Sequence, residues 1–381
     1  MRKGCMGDFF PPFCARGHCI HHEPTRRAGY QAYVRWGFYQ TKAFGRVPRY
    51  RCTSCGKTFS RQTFRLDYYV KRVLSYEAII QRLCSCESLS AIGRALSAST
   101  DTISNRISRA ARQALARSSA LSAVLNPDED MVADGFESFC CSQYFPNTIT
   151  LLVGASSQYV YAIDHVTIRR KGRMTEKQKK RREMLETRWR AEAGGIEKSF
   201  TRIAHEALRM YAGSKRPWFT LWTDEHRGYV RVLAGSAHLS LLVREGVIRH
   251  RVVSSRVVRD TKNRLFSVNY LERELRKDLH EHVRETVCFG RNVNRQMERL
   301  SVYLHWHNTM KRHRAREGPR SNMEWVSTEG RGEKKGSKGI WEWRAWRSLT
   351  ELSDAMSETW ERRRRTPLLA RQDYLPGYAC M

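Results

Sequence analysis

The stretch Trp218-Phe-Thr-Leu-Trp-Thr-Asp224, followed at once by Glu-His-Arg-Gly-Tyr229, constrains the fold more than any other part of the chain. Short, apolar and rich in aromatics, it reads as a buried strand, and Gly228 and Tyr229 open a segment with helical patterning. A buried strand passing straight into a helix belongs in an α/β sheet. Open sheets of that kind place their chemistry at the carboxyl ends of strands, where Asp224 stands. A second strand, Met131-Val-Ala-Asp-Gly-Phe-Glu-Ser-Phe139, carries Asp134. A helical stretch downstream, Asn269–Asp278, carries Glu272 and Glu274.

These acids sit in a strongly basic chain. Against 38 Asp+Glu stand 69 Lys+Arg, a net charge of +31 over 381 residues, and such an excess calls for a polyanionic partner. Double-stranded DNA is the expected one. No apolar run approaches the length of a spanning helix, and the N-terminal Met-Arg-Lys-Gly-Cys-Met-Gly-Asp lacks the apolar core of a signal peptide. A cytoplasmic protein is therefore expected, with no membrane contact and with its eleven Cys as thiols or metal ligands, not disulfides.

Four of those Cys form two pairs: Phe13-Cys-Ala-Arg-Gly-His-Cys19, and Arg51-Cys-Thr-Ser-Cys-Gly-Lys-Thr-Phe-Ser60. Brought together, Cys14, Cys19, Cys52 and Cys55 would give a closed tetrahedral Zn²⁺ site, structural because no position stays open for water. The second pair is the more specific, since Gly56 allows the tight turn of a thiolate knuckle. In the first pair, His18, His21 or His22 is an alternative to one thiolate. The segment between the pairs alternates like ribbon strands. Cys5, Cys84, Cys86, Cys140, Cys141, Cys288 and Cys380 form no second ligand set.

From about Asp67 to Leu121 the pattern is helical. Glu87–Leu96 precedes a short break, and Ser99 or Thr100 caps the next helix. Ile103, Ile107 and Ala110 mark its inward face, which leaves Asn105, Arg106, Arg109 and Arg112 for DNA phosphates and base edges. A helical linker with a solvated basic face is the alternative.

After Asn126-Pro127 come three strand-like segments, Met131–Phe139, Thr148–Gly154 and Tyr159–Thr167. A charged, helical segment over residues 168–214 follows, then the Asp224 strand, a helix near Tyr229–Gly235, a strand over Val247–Val253 and the glutamate-bearing helix. That succession is the order of a ribonuclease-H-like fold, in which the first and fourth strands supply carboxylates.

Four words of sequence carry a family resemblance: the knuckle 51–60, Ala133-Asp-Gly-Phe-Glu-Ser138, Thr223-Asp-Glu-His-Arg-Gly-Tyr229 and Arg284-Glu-Thr-Val-Cys-Phe-Gly-Arg-Asn-Val293. The late His305-Trp-His-Asn308 is similar to the family's aromatic/Asn signature. In this order they resemble the zinc-ribbon insertion-sequence transposases with a DDE catalytic core, over nearly the whole chain. The resemblance implies a transposase that binds terminal repeats and cleaves and transfers DNA strands, with Asp134 and Asp224 as its first two acids. It implies catalytic Mg²⁺ or Mn²⁺ held by Asp134, Asp224 and a third acid, and an assembly of two or more copies on DNA.

The spacing to the third acid is about one turn shorter here than in the family. Leu271, Leu275, Leu279 and Val283 mark a buried helix face, and at about 100° per residue Glu272 lies near its centre. Glu274 falls to the side and remains the alternative, with Asp278 and Glu298 behind it.

The expected organisation is a multidomain α/β chain. A zinc ribbon spans residues 1–62, a helix-turn-helix 63–125, the catalytic core 126–315, and a basic, Trp-rich tail 316–381. Gly330–Gly339 reads as a flexible loop, Arg362–Arg365 as a phosphate contact and Lys177–Arg182 as a solvated face or DNA track. The competing reading is a non-catalytic DNA-binding regulator with an inactive core.

Overall fold

The computed structural model describes residues 9–23, 32–212, 214, 216–283, 286–313, 320–326, 340–347 and 366–368. The loop expected at Gly330–Gly339, the basic run Arg362–Arg365, Cys5, Cys380 and most of the tail lie outside them.

Strands β1 (Tyr33–Thr41), β2 (Gly45–Cys52) and β3 (Thr58–Ser60) form a small antiparallel sheet in that order. Tyr33, Tyr50, Phe59 and Phe64 bury their rings beside Cys14, Cys19 and Cys52, because so small a sheet has few other apolar residues with which to make a core. A 3₁₀ turn, Arg61–Phe64, closes the module, capped by the Ser60 side chain.

Three helices follow: α1 (Tyr76–Leu83), α2 (Leu89–Ala95) and α3 (Thr100–Ser122). Each begins where the sequence supplies a serine oxygen for an orphan backbone N–H, at Ser75, Ser88 and Ser99. The turn between α2 and α3 is tight enough that a Cβ on Gly93 would lie 2.7 Å from the Ala98 carbonyl oxygen. Only glycine fits there.

The main sheet comprises β4 (Met131–Phe139), β5 (Pro146–Gly154) and β6 (Val160–Thr167), then β7 (Phe219–Asp224) and β8 (Ile248–Val253). Its spatial order is β6-β5-β4-β7-β8. The first three strands are antiparallel neighbours, while β7 runs parallel to β4 and β8 parallel to β7. Parallel pairing requires crossovers, supplied by α4 (Glu176–Glu186) and α5 (Gly195–Tyr211) before β7, and by α6 (Arg227–Gly235) and α7 (Ala237–Arg244) before β8. The segment expected to be helical over 168–214 is thus two helices, the second entered through Gly194 at φ +68°. Helices α8 (Phe266–Asp278), α9 (Val293–Thr309) and α10 (Asn322–Val326) are the last among the described residues. Among the described residues no helix is long and apolar enough to cross a membrane.

Strand alternation sorts the two layers. Met131, Ala133 and Leu221 pack with Phe200, Ile203 and Leu233 from α5 and α6. Val132 and Phe136 face the other way, into a core with Leu271 and Leu275 of α8 and Leu300 of α9. That second core also contains Ile79, Ile92, Ile103 and Ile107, and α3 packs along α9. The helices expected as a separate DNA-reading unit therefore share one continuous hydrophobic core with the sheet.

Residues 340–347 tie this layer to the cysteine module. The Gln113 amide donates to the carbonyls of Ile340 and Trp343 at 2.7 and 2.8 Å, and its oxygen accepts from the Ala345 N–H at 2.8 Å. Backbone bonds join Leu66 to Glu342 and Arg344 to Phe64, while the Trp343 ring stacks on Phe9 at 5.7 Å.

Candidate functional site

Three of the expected acids line one cleft of about 290 Å³. The sheet explains two of them. Met131 pairs with Leu221 and Val132 with Trp222, a constant offset that sets Asp134 level with Asp224. Both are even-numbered positions, so their side chains leave the sheet on the α8 side, as Val132 and Trp222 do. The β4–β7 ladder stops at Val132, and β4 runs on to Phe139 paired with β5 alone. The cleft opens where β4 loses that neighbour.

Glu272 enters from α8 one residue after Leu271, whose burial against the sheet fixes the helix's rotation. The cleft wall also holds Tyr229, from the first turns of α6, and the cations Arg259 and Arg276. A Cβ on Gly135 would come within 3.1 Å of the Tyr229 hydroxyl and 2.7 Å of Thr148 Cγ2, so glycine beside Asp134 lets that wall close in.

The electrostatics are those of a site built for positive charge. Burial, then the nearby Asp224 carboxylate, raises the Asp134 carboxyl to about 6, although the Gly135 N–H donates to it at 2.7 Å. Burial, then the Asp134 charge, raises Glu272 to about 8, against the opposing pull of Arg276 and Arg259. Tyr229 is pushed well up by burial, then by Asp134, Asp224 and Glu272. The buried Glu272 Oε1 has no hydrogen-bond partner. An unmatched carboxylate oxygen among like charges is costly, and a cation would remove the cost. The donor set is all hard oxygen, the kind that suits Mg²⁺ or Mn²⁺.

Glu274 points elsewhere. It is 4% exposed, but it faces Lys277 at 2.6 Å and Lys311. Burial alone would raise its pKa; the two ammonium groups outweigh that and hold the carboxyl below its ordinary value. The helix is thus buried on two sides, and the sequence pattern registered only the one facing the sheet. Asp278 accepts from Tyr303 and Lys311, while Glu298 accepts from Ser108 and Arg295, joining α9 to α3. His226 caps α6 through Gly228 N–H, and its own N–H donates to Asp224 at 3.0 Å.

The basic face expected on α3 differs most from expectation. Arg112 is fully buried, with its guanidinium over the Trp346 ring at 4.6 Å. Arg106 is 6% exposed and donates to Asn105 and to the Arg72 carbonyl. Arg109 donates to the Leu66 and Tyr68 carbonyls and covers the Tyr68 ring at 4.2 Å. Only Asn105 of the four is exposed. The cause is the 66–72 segment and residues 340–347, which enclose α3 on the side that local periodicity assigns to solvent.

The cysteines form a second centre. The Sγ atoms of Cys14, Cys19, Cys52 and Cys55 all lie within 4.8 Å of one another, a set that could hold a structural metal such as zinc. Among the described residues no other set of three such groups is that close, the cleft acids included. Gly56 adopts φ +69°, and its N–H donates to the Cys52 carbonyl, so the knuckle turn forms as its spacing predicts. The close set contains no imidazole; His22 Nδ1 meets the Cys14 carbonyl, and the His21 backbone N–H donates to Cys19 Sγ.

No family model matches the chain, and no curated protein is significantly similar to it.

Proposed function

We propose that this chain is a DNA transposase of an insertion sequence, binding the element's terminal repeats and cleaving and transferring DNA strands with Asp134, Asp224 and Glu272. The observation that carries the reading is their convergence on one cleft, with Glu272 Oε1 unpaired and arginines on the rim. The strand order β6-β5-β4-β7-β8, antiparallel and then parallel, supports a ribonuclease-H-like core with acids on its first and fourth strands. The four-cysteine module fits a structural zinc ribbon.

Asp134, Asp224 and Glu272 would hold Mg²⁺ or Mn²⁺, which when bound activates an attacking oxygen and stabilises the leaving one in an in-line displacement. Arg259 and Arg276 stand where the phosphates of a bound strand need positive charge. A water oxygen attacking the phosphodiester leaves a 5′-phosphate and frees a 3′-OH, and that 3′-OH attacking a phosphodiester of a second strand joins the two as the second strand's own 3′-oxygen leaves. His226 serves this site as a cap, since its ring is committed to α6 and its N–H to Asp224. Two ends must be held together, so a homodimer or larger assembly on DNA in the cytoplasm is part of the proposal.

The test is joining of an oligonucleotide carrying the element's end to plasmid DNA in Mg²⁺ or Mn²⁺. Asp224→Asn and Glu272→Gln abolish joining while Glu274→Gln retains it; the reverse for the two glutamates would overturn the assignment. A non-catalytic DNA-binding regulator predicts instead specific binding of those ends, unchanged by Asp134→Asn, with no cutting.

A further inference from the structure

Two exposed rings of the cysteine module, Trp36 and Phe38, lie on its first hairpin, and no residue of the module lines the carboxylate cleft. From Ala32 to Ser60 the chain has six Lys or Arg and no Asp or Glu, so these three strands carry no acid of their own to offset their positive charge. A groove of about 320 Å³ lies between the hairpin and the 3₁₀ turn, with Phe9, Phe38, Phe44 and Tyr50 as its rings and Arg35, Arg46 and Arg61 among its cations. Phe38 is 54% exposed, and the Arg46 guanidinium lies over its ring at 3.9 Å. Arg61 shares Glu342 with Arg65, whereas Arg46 has no carboxylate partner among the described residues.

A bulge gives the groove its single exposed ring. Arg35 pairs with Tyr50 and Phe38 with Pro48, so Trp36 and Gly37 together oppose Arg49. Gly37 takes φ +72°, which costs a glycine nothing. Without the extra residue Trp36 and Phe38 would share a face; with it Trp36 turns to the opposite face, under Arg51 at 4.6 Å. Phe38 alone stays with Arg35, Arg46 and Tyr50.

We propose that this groove takes an unstacked base of single-stranded DNA, the base stacking on Phe38 and the flanking phosphates meeting Arg35 and Arg46. A half-exposed ring with one guanidinium over it, free to move to a phosphate, and another beside it is the chemistry that recognises a nucleotide out of its stack, and stacking tolerates any base. The choice of DNA rests on the strand-transfer reading; the groove shares no residue with the carboxylate cleft.

The experiment uses the full-length, zinc-loaded chain without Mg²⁺ or Mn²⁺, where no strand can be cut. Binding of a fluorescent single-stranded DNA oligonucleotide is compared with one of equal length whose central nucleotides are abasic. Equal phosphate counts cancel the general attraction of a basic protein, leaving the base term. Wild type binds the base-bearing strand more tightly, by about 5- to 100-fold as for one stacked base. Phe38→Ala removes that difference, Phe38→Trp keeps it, and Arg46→Ala weakens both strands. Trp36→Ala, which removes a ring of similar exposure on the other face, leaves the difference intact, and zinc content reports that each variant is folded. Equal binding of the two strands by wild type, a difference that survives Phe38→Ala, or a preference for the matching RNA strand would each overturn the proposal. Loss of joining with this binding intact would count against the strand-transfer reading alone.

Discussion

Glu272 provides the sharpest test of the cleft, because its chemistry predicts a stability change opposite to the usual effect of mutating a buried residue. Its carboxyl is raised from 4.5 to about 8 by burial and then by Asp134. A carboxyl raised on folding contributes stability that is fully present below the unfolded pKa, near 4.5, and is lost as pH rises through the folded value, near 8. At 1.36 kcal/mol per pH unit the loss has a ceiling of about 5 kcal/mol, and partial solvation of the cleft lowers it toward about 2. Glu272→Gln keeps the shape and removes the charge, so it should stabilise the metal-free protein above about pH 8 and leave it unchanged below about pH 4.5. Mg²⁺ or Mn²⁺ should narrow that gap by stabilising wild type, as any ligand of the folded state does, and should leave the variant's melting temperature nearly unmoved. Thermal unfolding by circular dichroism across this pH range, with and without the ion, is the assay. A variant less stable than wild type at high pH, or an equal response of both proteins to the ion, would refute the argument.

Gly93→Ala should destabilise by about 1–3 kcal/mol despite alanine's better helix propensity, because the new Cβ meets a backbone carbonyl that cannot move aside; urea unfolding measures it. Gln113→Ala should cost a similar amount and should speed proteolysis near residues 340–347, since two carbonyls and one N–H lose their partner; unchanged cleavage would mean that Trp341 and Trp346 alone hold this segment. Cys52→Ser should reduce bound zinc from one ion per chain toward none, read by a colorimetric chelator, and should loosen the module whose apolar core includes Cys52. Glu274→Gln should lower stability by about 1–3 kcal/mol through the uncompensated Lys311 and Lys277, where Glu272→Gln raises it.

That contrast between two glutamates two residues apart shows what the sequence can and cannot carry. Leu271 and Leu275 fix α8 against the sheet, and simple helical geometry then aims Glu272 into the cleft. Asp134 and Asp224 are legible for the same reason, since each stands on a strand whose apolar alternation sets its face. The knuckle around Cys52, Cys55 and Gly56 is local chemistry, readable over six residues. Periodicity fails where a second partner arrives from far along the chain. Glu274 is buried by Lys311, a residue 37 positions away, and nothing near residue 274 announces it. On α3 the departure is larger, because a long basic face looks solvated until the 66–72 segment and residues 340–347 cover it. Arg112, with Trp346 beneath its guanidinium and Gln113 bonded to the same segment, is then part of the interior. Burying those arginines has a consequence for function: the positive charge they were expected to offer DNA is spent within the fold. Whatever DNA the chain contacts must then be met by cations that remain at its surface, such as Arg46 and the rim of the carboxylate cleft.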